Sequence, residues 1–289
     1  MRSMEKVSRN TIIYRCRAGP TRLVAKVQLT KPARVVEAEF EILRDMGRRL
    51  GGSRVRALKP IALFPELGVL LTEEEDGISL REILEVACRE PRDGWERAES
   101  ALDQSAEALR AFHDAYGADD PDRASVVRQY LDFSPKNLLI QEESRAPGRG
   151  RVVLMDPPEE EVWGERTDDV GGFCFDVTRI GFLPRFVLSW PVRGRIDRLK
   201  ARFISAYFGD LGDQKSAVLG AVKDAEGRRA MQALGWYARP WRYPSVAKET
   251  ARLCYLGPLT AAYRLGGIHR SHSNVRRMLD RARAHEAMP

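Results

Sequence analysis

The chain has 289 residues, 43% of them apolar and 31% charged, with 48 Lys and Arg against 41 Asp and Glu and a net charge of +7. That balance is ordinary for a globular protein and excludes a collagen, a coiled-coil rod and a disordered polymer. No apolar run reaches the ~18 residues of a membrane helix, and the first residues lack the apolar stretch of a secretory signal. A cytoplasmic protein without a membrane span is therefore expected. Cys16, Cys88, Cys174 and Cys254 lie far apart with no C-x-x-C pair, which predicts free thiols rather than a disulfide frame or a zinc site. The charge is unevenly spread: residues 1–176 carry net −6 and residues 177–289 net +13. A basic half suits an anionic partner, or is simply a solvated arginine-rich surface.

The first elements read as strands. Residues 11–17 are β-branched and aromatic, residues 18–21 are turn chemistry, and residues 22–29 form a second strand, so the pair predicts a hairpin. Pro32 opens a helix to about residue 49, with Val36, Phe40, Leu43 and Met46 on one face, closed by Gly51 and Gly52. Strands follow at about 56–63 and 68–72. Residues 73–77, mostly acidic, read as a linker. Ser79 and Glu82 form a capping box at the start of the next helix. A longer helix at about 98–116 carries Leu102, Ala106, Leu109, Phe112 and His113 on one stripe. An irregular loop at 130–137 leads into a short apolar strand, a polar turn and a second apolar strand ending at Asp156. Beyond about residue 176 the pattern is mostly helical. No internal repeat is present.

Phosphoryl transfer needs a lysine for the nucleotide phosphates, a carboxylate to orient it, a carboxylate to take the acceptor proton, and an amide and a carboxylate for magnesium. The chain offers each in a workable order. Lys26 lies mid-strand between apolar neighbours, in Leu-Val-Ala-Lys-Val. Glu39 shares the inward stripe of the following helix, and a carboxylate there is unfavourable unless paired. It is preferred over Glu37 and over Glu41, which point outward. Asp132 and Asn137 stand five residues apart on a proline-stiffened loop. The two strands that follow carry Asn137 and Asp156 to one place, where their oxygens suit a hard cation. Lys136 either reaches the transferring phosphate or is solvated. His113 on its apolar face reads as a hydrogen-bonded core histidine. His269 and His272 are a weak metal signal, and residues 273–284 read as a basic amphipathic helix packed on the C-terminal half.

Residues 131–140, Leu-Asp-Phe-Ser-Pro-Lys-Asn-Leu-Leu-Ile, resemble the catalytic loop of the aminoglycoside phosphotransferase and choline kinase family, whose motif is H-G-D-x-x-x-x-N. Supporting matches are Ser8 to Asn10 for the phosphate-covering loop, Lys26 for the nucleotide lysine and Glu39 for the helical glutamate. Residues 73–80 match the inter-lobe hinge and residues 109–113 the helix before the catalytic loop. The likeness covers about residues 5–180. The chain departs from the motif at Tyr130 and Leu131, where the family has His-Gly, and at Pro157 to Glu160 after the metal aspartate.

The resemblance implies an α+β, two-lobed protein-kinase-like fold, with a small antiparallel-sheet N-lobe holding one helix (residues 1–75) and a larger, mostly helical C-lobe (residues 76–289). It implies an ATP- and Mg²⁺-dependent phosphotransferase acting on a hydroxyl of a small molecule. Asp132 would be the base, Lys26, Glu39, Ser8, Asn10 and Glu73 nucleotide contacts, and Asn137 and Asp156 the metal ligands. Asp176 fits the family's helix-opening aspartate, which would brace the catalytic loop through backbone N–H groups; Asp168 and Asp169 are weaker candidates for the segment joining the metal loop and the acceptor site. The alternatives are a protein or lipid-linked glycan kinase and a non-catalytic kinase-like binding protein. Nucleic-acid binding is not expected. The basic second half argues for a neutral or anionic sugar-type acceptor rather than a polycation, with Arg179, Arg185, Arg239 and Arg242 as anion contacts.

Overall fold

The computed structural model describes residues 3–6, 11–51, 54–117, 126–142, 150–158, 160–181, 190–237 and Arg276. Ser8, Asn10, Arg185, Arg239, Arg242, Cys254, His269 and His272 lie outside these residues, as does the expected helix at 273–284 apart from Arg276.

Strands β1 (Ser3–Lys6), β2 (Thr11–Ala18) and β3 (Thr21–Gln28) run antiparallel to one another, and β2 and β3 form the predicted hairpin. Helix α1 (Ala33–Arg49) follows. Its buried positions Val36, Glu39, Leu43 and Met46 recur at intervals of three and four, so one stripe faces inward. Arg48 and Arg49 in the last turn complement the helix dipole. Two later strands, β5 (Pro60–Phe64) and β6 (Val69–Glu73), complete a five-stranded antiparallel sheet in the order β1-β2-β3-β6-β5. Gly68 enters β6 with φ 61°, and a Cβ there would lie 2.5 Å from the carbonyl oxygen of Gln28, so the close turn excludes a side chain.

The run expected as one strand over 56–63 is two. Strand β4 (Val55–Ala57) leaves the first sheet and pairs in parallel with β10 (Arg151–Leu154), while β5 pairs with β6. The chain switches partners at Leu58 and Lys59: Leu58 N–H donates to Leu154 O, and Lys59 O accepts from Glu73 N–H. Pro60, without an N–H, enters the first sheet at its edge strand, where no ladder bond is lost. The second sheet has the order β4-β10-β9-β7, with β7 (Ile78–Ser79) and β9 (Leu138–Gln141) antiparallel.

Helix α2 (Leu80–Arg89) starts where Ser79 Oγ accepts the Glu82 N–H at 3.2 Å. Helix α3 (Pro91–Ala115) begins earlier than its apolar stripe suggests, and that stripe, Leu102 to His113, is fully buried. Short strands β8 (Val126–Arg128) and β11 (Trp163–Glu165) pair with each other. Helices α4 (Arg166–Gly181), α5 (Trp190–Phe208) and α6 (Lys215–Tyr237) pack with α2 and α3 into a helical C-terminal part. Among the described residues no helix is long and apolar enough to cross a membrane. Cys88 and Cys174 are buried free thiols and Cys16 is a half-buried one.

Candidate active site

Lys26 sits in the middle of β3, between Ile13 of β2 and Leu70 of β6. Its ammonium lies 2.7 Å from Glu39 Oε1 of α1 and 2.6 Å from Asp156 Oδ1, which follows β10. Gln28 Nε2 donates to the other Glu39 oxygen at 3.4 Å. Glu39 is 2% exposed, whereas Glu37 and Glu41 face solvent and Glu41 pairs with Arg44. Burial pulls the Lys26 pKa down, but the charges of Asp156 and Glu39 outweigh it and hold the ammonium above its ordinary range. Burial likewise pushes Asp156 up; the Lys26 charge and hydrogen bond overcome this and leave the carboxyl below its ordinary value. Lys26 and Asp156 are thus each held ionised, with Glu39 as the second partner of the ammonium.

The second cluster is built on the loop before β9. A short 3₁₀ turn (Pro135–Asn137) brings Asn137 back over Asp132: Asn137 Nδ2 donates to Asp132 O at 3.0 Å and to Asp132 Oδ2 at 2.8 Å. Lys136 Nζ also donates to Oδ2, at 2.9 Å. The other oxygen, Oδ1, faces Arg229 of α6 at 3.6 Å. The two clusters meet through the backbone, because Met155 N–H donates to Asn137 O at 2.9 Å, one residue before Asp156. The pairing of β9 with β10, Leu138 opposite Leu154, creates that proximity. Tyr130, fully buried, donates its hydroxyl to Met155 O and ties the start of the loop to the same place.

The aspartate that braces this loop is Asp169, not Asp176. Asp169 Oδ2 accepts the Tyr130 N–H at 2.6 Å, and Oδ1 accepts the Leu131 N–H at 3.0 Å. His113 Nε2 donates to Oδ2 at 3.0 Å, while His113 Nδ1 accepts the Tyr207 hydroxyl at 2.6 Å. With one ring N–H directed at the carboxylate oxygen, the other ring nitrogen is left to accept the tyrosine hydroxyl. His113 is therefore the core histidine expected, with both ring nitrogens satisfied. Asp176 lies two helical turns further along α4 and pairs with Arg179 at 2.9 Å. Burial raises its pKa, against Arg179, and the nearby Asp132 charge adds to the rise. Asp168 accepts the Glu165 N–H at 3.0 Å and pairs with Arg228.

Glu73 is not brought to either cluster. It ends β6 opposite Leu23, and its carboxylate pairs with Lys59 at 2.9 Å. Arg229 was missed from the sequence: it lies 97 positions from Asp132, in a helix with no motif. Among the described residues no group of three or more His, Cys, Asp or Glu side chains is arranged to hold a metal. Asn137 spends its amide nitrogen on Asp132 and so keeps its oxygen as an acceptor, and Asp156 is partly exposed. Two protein oxygens fit magnesium delivered with a nucleotide, since that ion keeps several waters and binds phosphate oxygens rather than an all-protein cage.

No family model and no curated protein sequence matches the chain. In structure it is similar to an aminoglycoside phosphotransferase solved in a ternary complex with streptomycin and ATP, with a TM-score of 0.51 and 9% identity, covering 91% of this chain and 90% of that one. An ethanolamine kinase of Plasmodium vivax is similar at a TM-score of 0.48 and 9% identity, over 90% of this chain and 81% of that one. WaaP in complex with acyl carrier protein gives a TM-score of 0.47 and 14% identity, over 77% and 87%. At these identities the shared property is the fold, and the first comparison carries it. The chain has the protein-kinase-like α+β fold expected from its likeness to the aminoglycoside phosphotransferase group, with an antiparallel sheet in its N-terminal part and helices in its C-terminal part.

Proposed function

We propose that this chain transfers the γ-phosphoryl group of ATP to a hydroxyl of a small molecule, with magnesium accompanying the nucleotide. The observation that carries this reading is the meeting of Lys26, Glu39 and Asp156 within hydrogen-bond distance, backbone-linked to Asp132 and Asn137. Lys26, held charged and oriented by Glu39, binds the nucleotide phosphates. Asn137 and Asp156 would hold the metal, which would supply positive charge to neutralise the phosphate oxygens. Asp132 is fixed at one oxygen by Asn137 and Lys136 and offers the other to the acceptor hydroxyl, whose proton it takes. Arg229 and Lys136 add positive charge where negative charge builds up on the transferring group. Ser8, Asn10 and the segment at Glu73 are proposed as further nucleotide contacts, with residues 1–75 the nucleotide lobe and residues 76–289 the acceptor lobe. The structural neighbour solved with ATP supports the donor, and a cytoplasmic setting is proposed with it. The acceptor is proposed to be a neutral or anionic sugar-type compound.

The test pairs binding with turnover. Wild-type protein and Asp132→Asn are titrated with ATP and Mg²⁺ in a thermal-shift assay, then assayed by coupled ADP release over sugars, sugar phosphates, amino alcohols and aminoglycosides. Both should bind nucleotide, and the variant should lose roughly 10²–10⁴ in rate on the true acceptor. The absence of any magnesium-dependent shift with ATP, or full turnover in the variant, would overturn the reading.

A further inference from the structure

A cavity of about 140 Å³ opens beside Asp132, lined by Arg81 of α2, Ser134 and Lys136 of the loop, and Asp176 and Arg179 of α4, with Pro135 and Ile180 as its apolar wall. Three cations face one carboxylate there. Arg81 uses its Nε on Glu85 at 2.8 Å and Lys136 pairs with Asp132 at 2.9 Å. Guanidinium and ammonium groups carry five and three N–H donors, more than one carboxylate takes up. Ser134 is the second, independent observation. It is 1% exposed, and among the described residues its Oγ has no hydrogen-bond partner. A buried hydroxyl without a partner is unfavourable, and a guest in the cavity it lines supplies one.

We propose that this cavity holds an oxyanion, phosphate or carboxylate, carried by the acceptor itself, so that the acceptor is an anionic alcohol. The inference rests on the phosphotransferase reading and narrows its substrate. Ser134 Oγ–H, Arg81 and Lys136 donate to the anion, and Arg179 adds charge from the opposite wall. The anchored group sets the acceptor beside Asp132, the residue that Lys136 also holds. Ile180 and Pro135 exclude water from one side, which strengthens each charge-assisted bond.

The experiment uses the nucleotide-free full-length protein at low salt, titrated calorimetrically with inorganic phosphate, glucose 6-phosphate, glucuronate and glucose. The anions should bind at least roughly tenfold more tightly than glucose and weaken as salt is added. Ser134→Ala and Arg81→Gln should each lower anion affinity roughly tenfold to a hundredfold. Their unliganded melting temperatures serve as a folding control; Arg81 is about half exposed, with 47% of its side chain accessible. Phosphate and glucuronate report which oxyanion is preferred. Equal binding of the anions and glucose, or anion affinity unchanged in both variants, overturns the proposal. Anion binding that behaves as described, with no ATP-dependent transfer to any hydroxyl compound, instead overturns the phosphotransferase reading and the acceptor role with it. Transfer to neutral acceptors as efficient as to their phosphorylated counterparts overturns the anionic-acceptor claim alone.

Discussion

Leu131 holds φ at 64°, and Asp132 N–H bonds back to Tyr130 O at 2.8 Å across it, so the residue before Asp132 is the centre of a three-residue turn. A side chain with a Cβ pays about 1–2 kcal/mol in that left-handed region. Leu131 is partly exposed, so little packing offsets the strain. Leu131→Gly should therefore hold or raise stability by up to about 1 kcal/mol, after glycine's greater unfolded-state entropy is counted. Urea denaturation measures this; a loss of 1 kcal/mol would show that the leucine is packed rather than strained. Asp169 keeps the same turn in place through two backbone N–H groups and His113. Asp169→Asn swaps one accepting oxygen for an amide that cannot accept, and should cost about 2–3 kcal/mol. Turnover should fall while Mg-ATP affinity is kept, because Lys26, the proposed nucleotide contact, is untouched; parallel loss of both would mean that the whole site collapses. At this scale the sequence was informative where the chemistry is local. Asp132 and Asn137 lie on one loop, and Glu39 stands on a stripe that a carboxylate occupies only when paired. Asp169 was obscured because Gly171 and Gly172 blur the helical period around it, whereas Asp176, among apolar residues, had the clearer pattern.

The elements explain why those glycines are there. A Cβ at Gly171 would lie 2.5 Å from Ala225 Cβ, 2.7 Å from Glu226 N and 2.8 Å from Val222 O, so α4 and α6 approach backbone to backbone. Gly172, one position on, has nothing within 4 Å of its Cβ position. The two should respond oppositely to alanine. Gly172→Ala gains helix propensity, up to about 1 kcal/mol. Gly171→Ala gains the same propensity but must push α6 away, and should lose about 1–3 kcal/mol net. It should also lower turnover, since α4 carries Asp169 to the backbone before Asp132 and α6 carries Arg229 to its carboxylate. Similar melting temperatures for the two variants would refute the close approach. Helices α1 and α3 were legible because their burial follows period 3.6, and the β2–β3 hairpin because β-branched and aromatic runs flank a turn. Strand β4 was not: three residues cannot show a period, and its partner residues in β10 lie 97 positions away.

Across the whole molecule, the helical part is pinned by an ion pair that no local pattern announces. Lys200 of α5 and Glu226 of α6 are both fully buried, with Nζ at 2.9 Å from each carboxylate oxygen. Thr178 of α4 donates its hydroxyl to the same carboxylate at 2.9 Å, so three helices share one charge centre. Burial pulls the Lys200 pKa down, yet Glu226 more than restores it and the ammonium stays above its ordinary value. Removing one partner leaves the other a buried charge without its main counterion, which costs about 3–5 kcal/mol. Replacing both by apolar groups of similar volume removes the desolvation penalty together with the attraction, and is often neutral or stabilising. Lys200→Met alone should thus lower the unfolding free energy by about 3–5 kcal/mol, and Glu226→Leu alone by a similar amount. The double variant should recover most of either loss. Because Glu226 ties α6 to α5 through Lys200 and to α4 through Thr178, the single variants should also lose turnover at temperatures where they remain folded. A double-mutant cycle by urea denaturation decides the matter: additive losses in the double variant would mean that the two side chains stabilise the helices independently, and that the buried pair does not set how Asp169 and Arg229 come together around Asp132.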